Sequence, residues 1–149
     1  MLSAEMEEPV EFYIHNIFGS EKAAMERVAS VARKRKYDED QIEDLKTAVS
    51  EACLNAMEHG NKMDPGKKVR ISITIEESLL QVIVMDEAKG GGMKVEDPIK
   101  PPNIEEMMES KEVARGWGVF LIKSLVDDVV FDSTPDGRNF VKMTIYKEV

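Results

Sequence analysis

The chain has 149 residues and is 42% hydrophobic, enough for one well-buried core, so a single domain over 1–149 is expected. Its formal charge of −9 argues against a broad nucleic-acid-binding face, and no stretch approaches the ~18 apolar residues that span a bilayer. One cysteine, Cys53, cannot form an internal disulfide, and the N-terminus shows no basic-then-apolar leader, so the expected setting is reducing and cytoplasmic.

Val10 to Ile17 alternates as a first strand. Gly19-Ser20 then precedes a helix carrying Ala23, Ala24, Val28 and Val31, with Ser20 as its cap. The run Arg33-Lys34-Arg35-Lys36 reads as the charged last turn of that helix, complementing its dipole. A second helix begins at Asp38, where Gln41 completes a capping-box pattern. Ile42, Leu45, Val49, Ala52, Cys53, Ala56 and Met57 give it a buried face, and Gly60 marks its expected end. The turn Met63-Asp64-Pro65-Gly66 leads into a period-two strand, Val69 to Ile75, and a tight connection at Glu77-Ser78 returns the chain as the strand Val82 to Met85.

From Asp86 to Gly116 the sequence turns to glycine, proline and charge, including Gly90 to Gly92 and Ile104 to Glu109, the composition of a lid. Met107 and Met108 there offer an adaptable contact surface or pack back on the domain. An apolar helical run follows through Val119, Phe120, Ile122 and Leu125. The chain ends as a hairpin, Val129 to Phe131 with Phe140 to Ile145, turning at Pro135-Asp136-Gly137. The fold expected is α/β (α+β), a two-layer sandwich with a mixed, largely antiparallel sheet and helices on one face.

Three segments carry chemistry. Glu51 and Asn55 stand one turn apart beside the buried face of the second helix, with His59 below them. A carboxylate there hydrogen-bonds a hydroxyl or water, and an amide oxygen is a hard ligand for magnesium, which keeps several waters and borrows phosphate oxygens. The same pair also serves as the polar shoulder of an ordinary helix. Asp86 ends an apolar strand before a glycine loop, so it is placed to accept from an exocyclic amine, although such an acid is also common turn chemistry. Arg115-Gly116-Trp117-Gly118 opens the later helix, and a glycine-flanked helix start seats phosphate on free N–H groups or is a plain junction. His59 lacks the His-Glu-x-x-His spacing of a zinc helix and receives no metal role.

Taken in order, Ser50-Glu51-Ala52-Cys53-Leu54-Asn55-Ala56-Met57-Glu58-His59-Gly60, Asp86-Glu87-Ala88-Lys89-Gly90 and Arg115-Gly116-Trp117-Gly118-Val119 resemble the N, G1 and G2 boxes of one ATP-binding fold. It is the Bergerat-type fold shared by gyrase, Hsp90, histidine kinases and MutL. The nearest likeness is to the anti-sigma-factor serine kinases of bacteria, the RsbW/SpoIIAB type. That resemblance implies ATP and Mg²⁺ as cofactors, Glu51 as catalytic base and Arg115 as a γ-phosphate clamp. It implies nucleotide contacts from Asn55, Asp86, Gly90, Gly116, Trp117, Gly118 and Val119, with Asn55 on the metal and the 86–116 segment as an ATP lid. The implied partners are an anti-anti-sigma protein of the STAS type and a sigma factor, handled by a homodimer, with no direct nucleic-acid or membrane contact. In the G1 box Ala88 stands where the family has glycine, so its methyl group is expected to crowd the nucleotide or strain the loop. A non-catalytic partner-binding module of the same fold is the alternative. A histidine-kinase catalytic domain is disfavoured because the first strand follows almost at once.

Overall fold

The structure, a computed structural model, describes residues 9–88 and 111–148, and of 111–117 the backbone only. The expected lid, with Gly90 to Gly92, Met107 and Met108, lies outside the described residues. In chain order the elements are β1 (Val10–His15), α1 (Glu21–Lys34), α2 (Glu39–Asn55), β2 (Lys68–Ile75), β3 (Leu79–Met85), α3 (Lys111–Leu125), β4 (Asp128–Ser133) and β5 (Asn139–Tyr146). The strands form one sheet in the order β1-β2-β3-β5-β4, and every described pairing is antiparallel. The chain therefore leaves β3, crosses by way of α3 to the edge strand β4, and returns as β5 into the gap.

Period-two alternation decides which face is buried. Val69, Ile71, Ile73 and Ile75 point inward from β2, and Leu80, Val82 and Val84 do so from β3. All seven are 3% exposed or less. Burying each of the isoleucines contributes about 1.5–3 kcal/mol. The helices cover this face: α2 supplies Ile42, Leu45 and Val49, α1 supplies Val28, and α3 supplies Ile122. Alanines at 24, 32, 48 and 52, all essentially inaccessible, let the helices approach closely. The outer face of β2 is polar and half-exposed, with Arg70 paired to Glu11 on β1.

Two helix starts differ in how they are closed. Asp38 caps α2 as expected, its Oδ1 accepting from the Gln41 N–H at 2.9 Å, but the Gln41 amide reaches the Tyr146 carbonyl instead of completing a capping box. Ser20 does not cap α1. Its own backbone is already helical, and the Glu21 carboxylate takes the Gly19 N–H at 2.6 Å. Arg33 and Lys34 do form the basic last turn of α1.

At its other end α2 widens. Ala56–Gly60 is a π-helical turn, closed by the Asn61 N–H donating to the Ala56 carbonyl at 2.8 Å. Such turns are rare and gather at functional sites. The helical run does end at Gly60, as expected, although Gly60 lies outside the left-handed region; the chain turns away at Lys62 and Met63, with φ of 51° and 57°.

Candidate nucleotide site

The open end of β3, the last turns of α2 and the middle of α3 meet at one place. Gly118 of α3 is the contact. A β-carbon on it would lie 3.0 Å from Glu51 Oε2, 3.3 Å from Asn55 Nδ2 and 3.6 Å from Asn55 Oδ1. Two of the three segments singled out in the sequence therefore touch, and the glycine leaves open the space above the acid and the amide. Glu51 is half-buried, and burial raises its carboxyl above the ordinary value. Asn55 is 7% exposed, and its Nδ2 has no hydrogen-bond partner among the described residues. A buried unpaired amide costs about 1–3 kcal/mol unless something fills it. The two ends of a carboxamide exchange by a flip. Asn55 thus fits a magnesium–phosphate group, offering a donor to phosphate oxygen or an acceptor to the cation.

Asp86, 2% exposed, is the third member. Its Oδ1 accepts from the backbone N–H groups of Ala88 and Asn139, each at 3.1 Å, and its Oδ2 accepts from Asn139 Nδ2 at 3.1 Å. Oδ1 is saturated, while Oδ2 keeps one lone pair for a further donor such as an exocyclic amine. Burial raises the Asp86 carboxyl, and the Asn139 and Ala88 hydrogen bonds oppose that rise. Gly60 explains how the acid fits. A β-carbon there would lie 2.6 Å from Asp86 Cγ and 2.8 Å from its Cβ, so the π-helical turn brings bare backbone against the carboxylate. Between these groups lies a recess lined by Ala52, Asn55, Ala56, Val84, Asp86, Asn139, Phe140 and Val141. Its volume is about 10 Å³, room for one water.

The glycines of the third segment do not sit at a helix start. Helix α3 already runs through Lys111, which places Gly116 and Gly118 inside it. The reason is local: the stretch Lys111 to Arg115 contains mostly good helix formers and extends the helix past the glycines. N–H groups inside a helix are spent on carbonyls a turn earlier, so Gly118 serves by the space it leaves. Val119 is 5% exposed and packs inward. The side chains of Arg115 and Trp117, the surroundings of Gly116, and all of Gly90 lie outside the described residues. Ala88 is free of the strain expected of it, since Lys36, Lys62 and Met63 are the described non-glycine residues with positive φ. Among the described residues no group of three or more His, Cys, Asp or Glu forms a metal cluster, and no helix is long and apolar enough to cross a membrane.

Asn139 and Gly60's role against Asp86 escaped the sequence reading. Asn139 heads a strand, a place where a polar residue draws no notice. Its one signal is that β5 otherwise buries alternate apolar residues from Val141 onward.

Comparison with known proteins agrees with this geometry. Residues 19–145 match the family described as histidine kinase-like ATPase domain. The chain is 37% identical over 107 residues to the serine-protein kinase RsbW of Bacillus subtilis, an alignment covering 68% of this chain and 64% of that protein. It is 30% identical over 125 residues to the anti-sigma F factor of Bacillus velezensis, covering 84% of this chain and 83% of that one. A solved structure of the RsbU and RsbW domains of a Mycobacterium tuberculosis protein superposes with a TM-score of 0.62 at 14% identity, over 96% of this chain and 34% of that chain, which establishes the shared fold.

Proposed function

Because this chain belongs to the histidine kinase-like ATPase family, in its anti-sigma-factor serine kinase branch, we propose that it is an ATP-dependent serine/threonine protein kinase. In this reading it phosphorylates a STAS-type anti-anti-sigma protein and holds a sigma factor inactive. The observation that carries the chemistry is the packing of Gly118 over Glu51 and Asn55.

Asp86 receives the adenine amine on the open lone pair of Oδ2, and Asn139 holds the carboxylate in that orientation. Asn55 directs its amide at the phosphates, and a magnesium ion bound there would neutralise phosphate charge. Glu51 orients the partner's hydroxyl and takes its proton. As that hydroxyl oxygen bonds the γ-phosphorus, the bond to the bridging oxygen breaks and ADP departs. Burial suits Glu51 to this work by raising its proton affinity toward the operating pH. The rest of the rate comes from positioning and charge stabilisation, as in phosphoryl transfer generally.

The test is transfer from γ-labelled ATP to a STAS-type partner, with binding measured in parallel. Glu51→Gln should bind ATP and partner normally and transfer phosphate at least ~10²-fold more slowly. Equal rates would remove Glu51 as the base. Partner binding with no phosphorylation by the wild type would make the chain a non-catalytic binding module.

A further inference from the structure

Asn61 follows the π-helical turn and is completely buried. Its carboxamide joins three separate segments. Nδ2 donates to the Lys68 carbonyl at 3.0 Å and to Asn16 Oδ1 at 3.2 Å, while Oδ1 accepts from the Glu87 N–H at 2.8 Å. Asn16 is itself tied by its Nδ2 to the Asp64 carbonyl at 2.9 Å. Both donors and the acceptor of one buried side chain are therefore used, and in a low-dielectric interior a satisfied amide of this sort resists displacement.

Glu87 directly follows Asp86, which makes the third bond matter. Three successive amides fix this turn: the Asp86 N–H donates to the Asn139 carbonyl at 3.0 Å, the Glu87 N–H to Asn61, and the Ala88 N–H back to Asp86. The middle restraint is the one that a side chain from outside the turn supplies. Asn61 also adjoins Gly60, the residue whose bare α-carbon lies against the Asp86 carboxylate. One residue thus sets both the backbone leaving Asp86 and the surface beneath it.

We propose that Asn61 is a positioning residue of the nucleotide site, acting through Asp86 and touching no ligand. This rests on the assignment of Asp86 to the adenine amine. Asn61 holds the Asp86–Ala88 turn that aims Oδ2, and its loss loosens the turn and that aim while Glu51 and Asn55 stay in place.

The test compares Asn61→Ala and Asn16→Ala, each alone and the first also combined with Asp86→Asn, by ATP titration, thermal melting and phosphate transfer. Asn16→Ala removes one partner of the Asn61 amide but keeps the bond to Glu87, so it should lower the melting temperature and leave ATP affinity within about twofold. Asn61→Ala should weaken ATP binding about tenfold, with transfer at saturating ATP within about threefold of wild type. In the Asp86→Asn background the same replacement should change the remaining affinity by less than about twofold, because its target is already gone. Unchanged affinity in Asn61→Ala, or a full tenfold loss persisting without Asp86, overturns the proposal. If Asn61→Ala does not fold, amide exchange at Glu87 in the wild type decides: protection comparable to β3 supports the tie, and exchange at the rate of an open loop refutes it. A wild type that binds no ATP sinks the adenine assignment and this proposal together, whereas ATP binding with a rapidly exchanging Glu87 sinks this proposal alone.

Discussion

Alanine at Gly118 and at Gly60 should have opposite effects on the fold, and the contrast tests how the site is built. Gly118 lies inside α3, where glycine to alanine stabilises a helix by about 1 kcal/mol. The added methyl meets Glu51 Oε2 at 3.0 Å, the far end of a flexible side chain that swings aside, and Asn55 Nδ2 at 3.3 Å. The fold should therefore gain between ~0 and ~1 kcal/mol, raising the melting temperature by at most about 4 °C. On the proposed reading nucleotide binding should suffer, because the methyl would occupy the space through which Asn55 reaches phosphate. Losing one charge-assisted hydrogen bond costs about 1.5–3 kcal/mol, roughly a 10- to 150-fold weaker dissociation constant for Mg·ATP. Gly60→Ala places its methyl on Asp86 Cγ and Cβ, atoms fixed by a buried strand end and three hydrogen bonds. That overpacking should cost about 1–3 kcal/mol of stability. Calorimetric titration and melting of both variants give the answer. Unchanged ATP affinity in Gly118→Ala, or a Gly60→Ala protein as stable as wild type, would refute the geometry argued here.

Three further outcomes are expected. Burial raises the Glu51 carboxyl above 4.5, so its contribution to stability is complete below that pH and is lost as pH rises through the folded value. Glu51→Gln, which never ionises, should match wild type at about pH 4 and melt higher at about pH 7.5; equal melting at both would contradict the burial argument. Asp86→Asn should weaken adenine nucleotide binding at least about tenfold, since the amine and the amide nitrogen facing it would then both be donors, while turning over the Asn139 amide keeps the fold within about 1 kcal/mol; binding as tight as wild type would remove Asp86 from the adenine site. Ala88→Gly should leave ATP affinity within about threefold, because alanine there already has an ordinary φ and donates to Asp86, and a tenfold tightening would show that its methyl does obstruct the nucleotide.

What could be read in the chain beforehand followed from repetition. Val69 to Ile75 announces its buried face by alternation, and the apolar positions of α2 announce theirs at three and four, because each choice is repeated along an element. Glu51 and Asn55 inherit their common face from that helix. The helix starts were less legible. Ser20 and Asp38 are both good capping residues, yet only Asp38 caps; at Ser20 the backbone is already helical, and the adjacent Glu21 carboxylate takes the Gly19 N–H ahead of the helix. What the glycines do was hidden for a related reason. Gly60 and Gly118 read as helix punctuation, because sequence shows a glycine's freedom of φ but not what lies against its α-carbon. Neither adopts positive φ, and each instead gives room to a carboxylate from another segment, Asp86 or Glu51.

The same distinction explains why the three motif segments need one another. Asp86 is a buried acid whose burial raises its pKa, and bonds from Ala88 and Asn139 offset that cost without filling Oδ2. Asn55 is a buried amide with an unpaired nitrogen, and Glu51 a half-buried carboxylate with a raised pKa. None of these is a stabilising choice for a protein optimised only to fold, where apolar or fully paired groups would serve better. All three line one zone at the open end of the sheet, and Gly118, one of the two glycines that admit them, would be better filled if stability alone governed. Polar groups left partly unpaired in this way are stabilised by a ligand that supplies the missing partners. On the proposed reading a nucleotide with an amine at one end and charged phosphates at the other would supply a donor to Asp86 Oδ2 and acceptors to Asn55, so binding and stability should rise together in this protein, and Gly118→Ala should raise one while lowering the other.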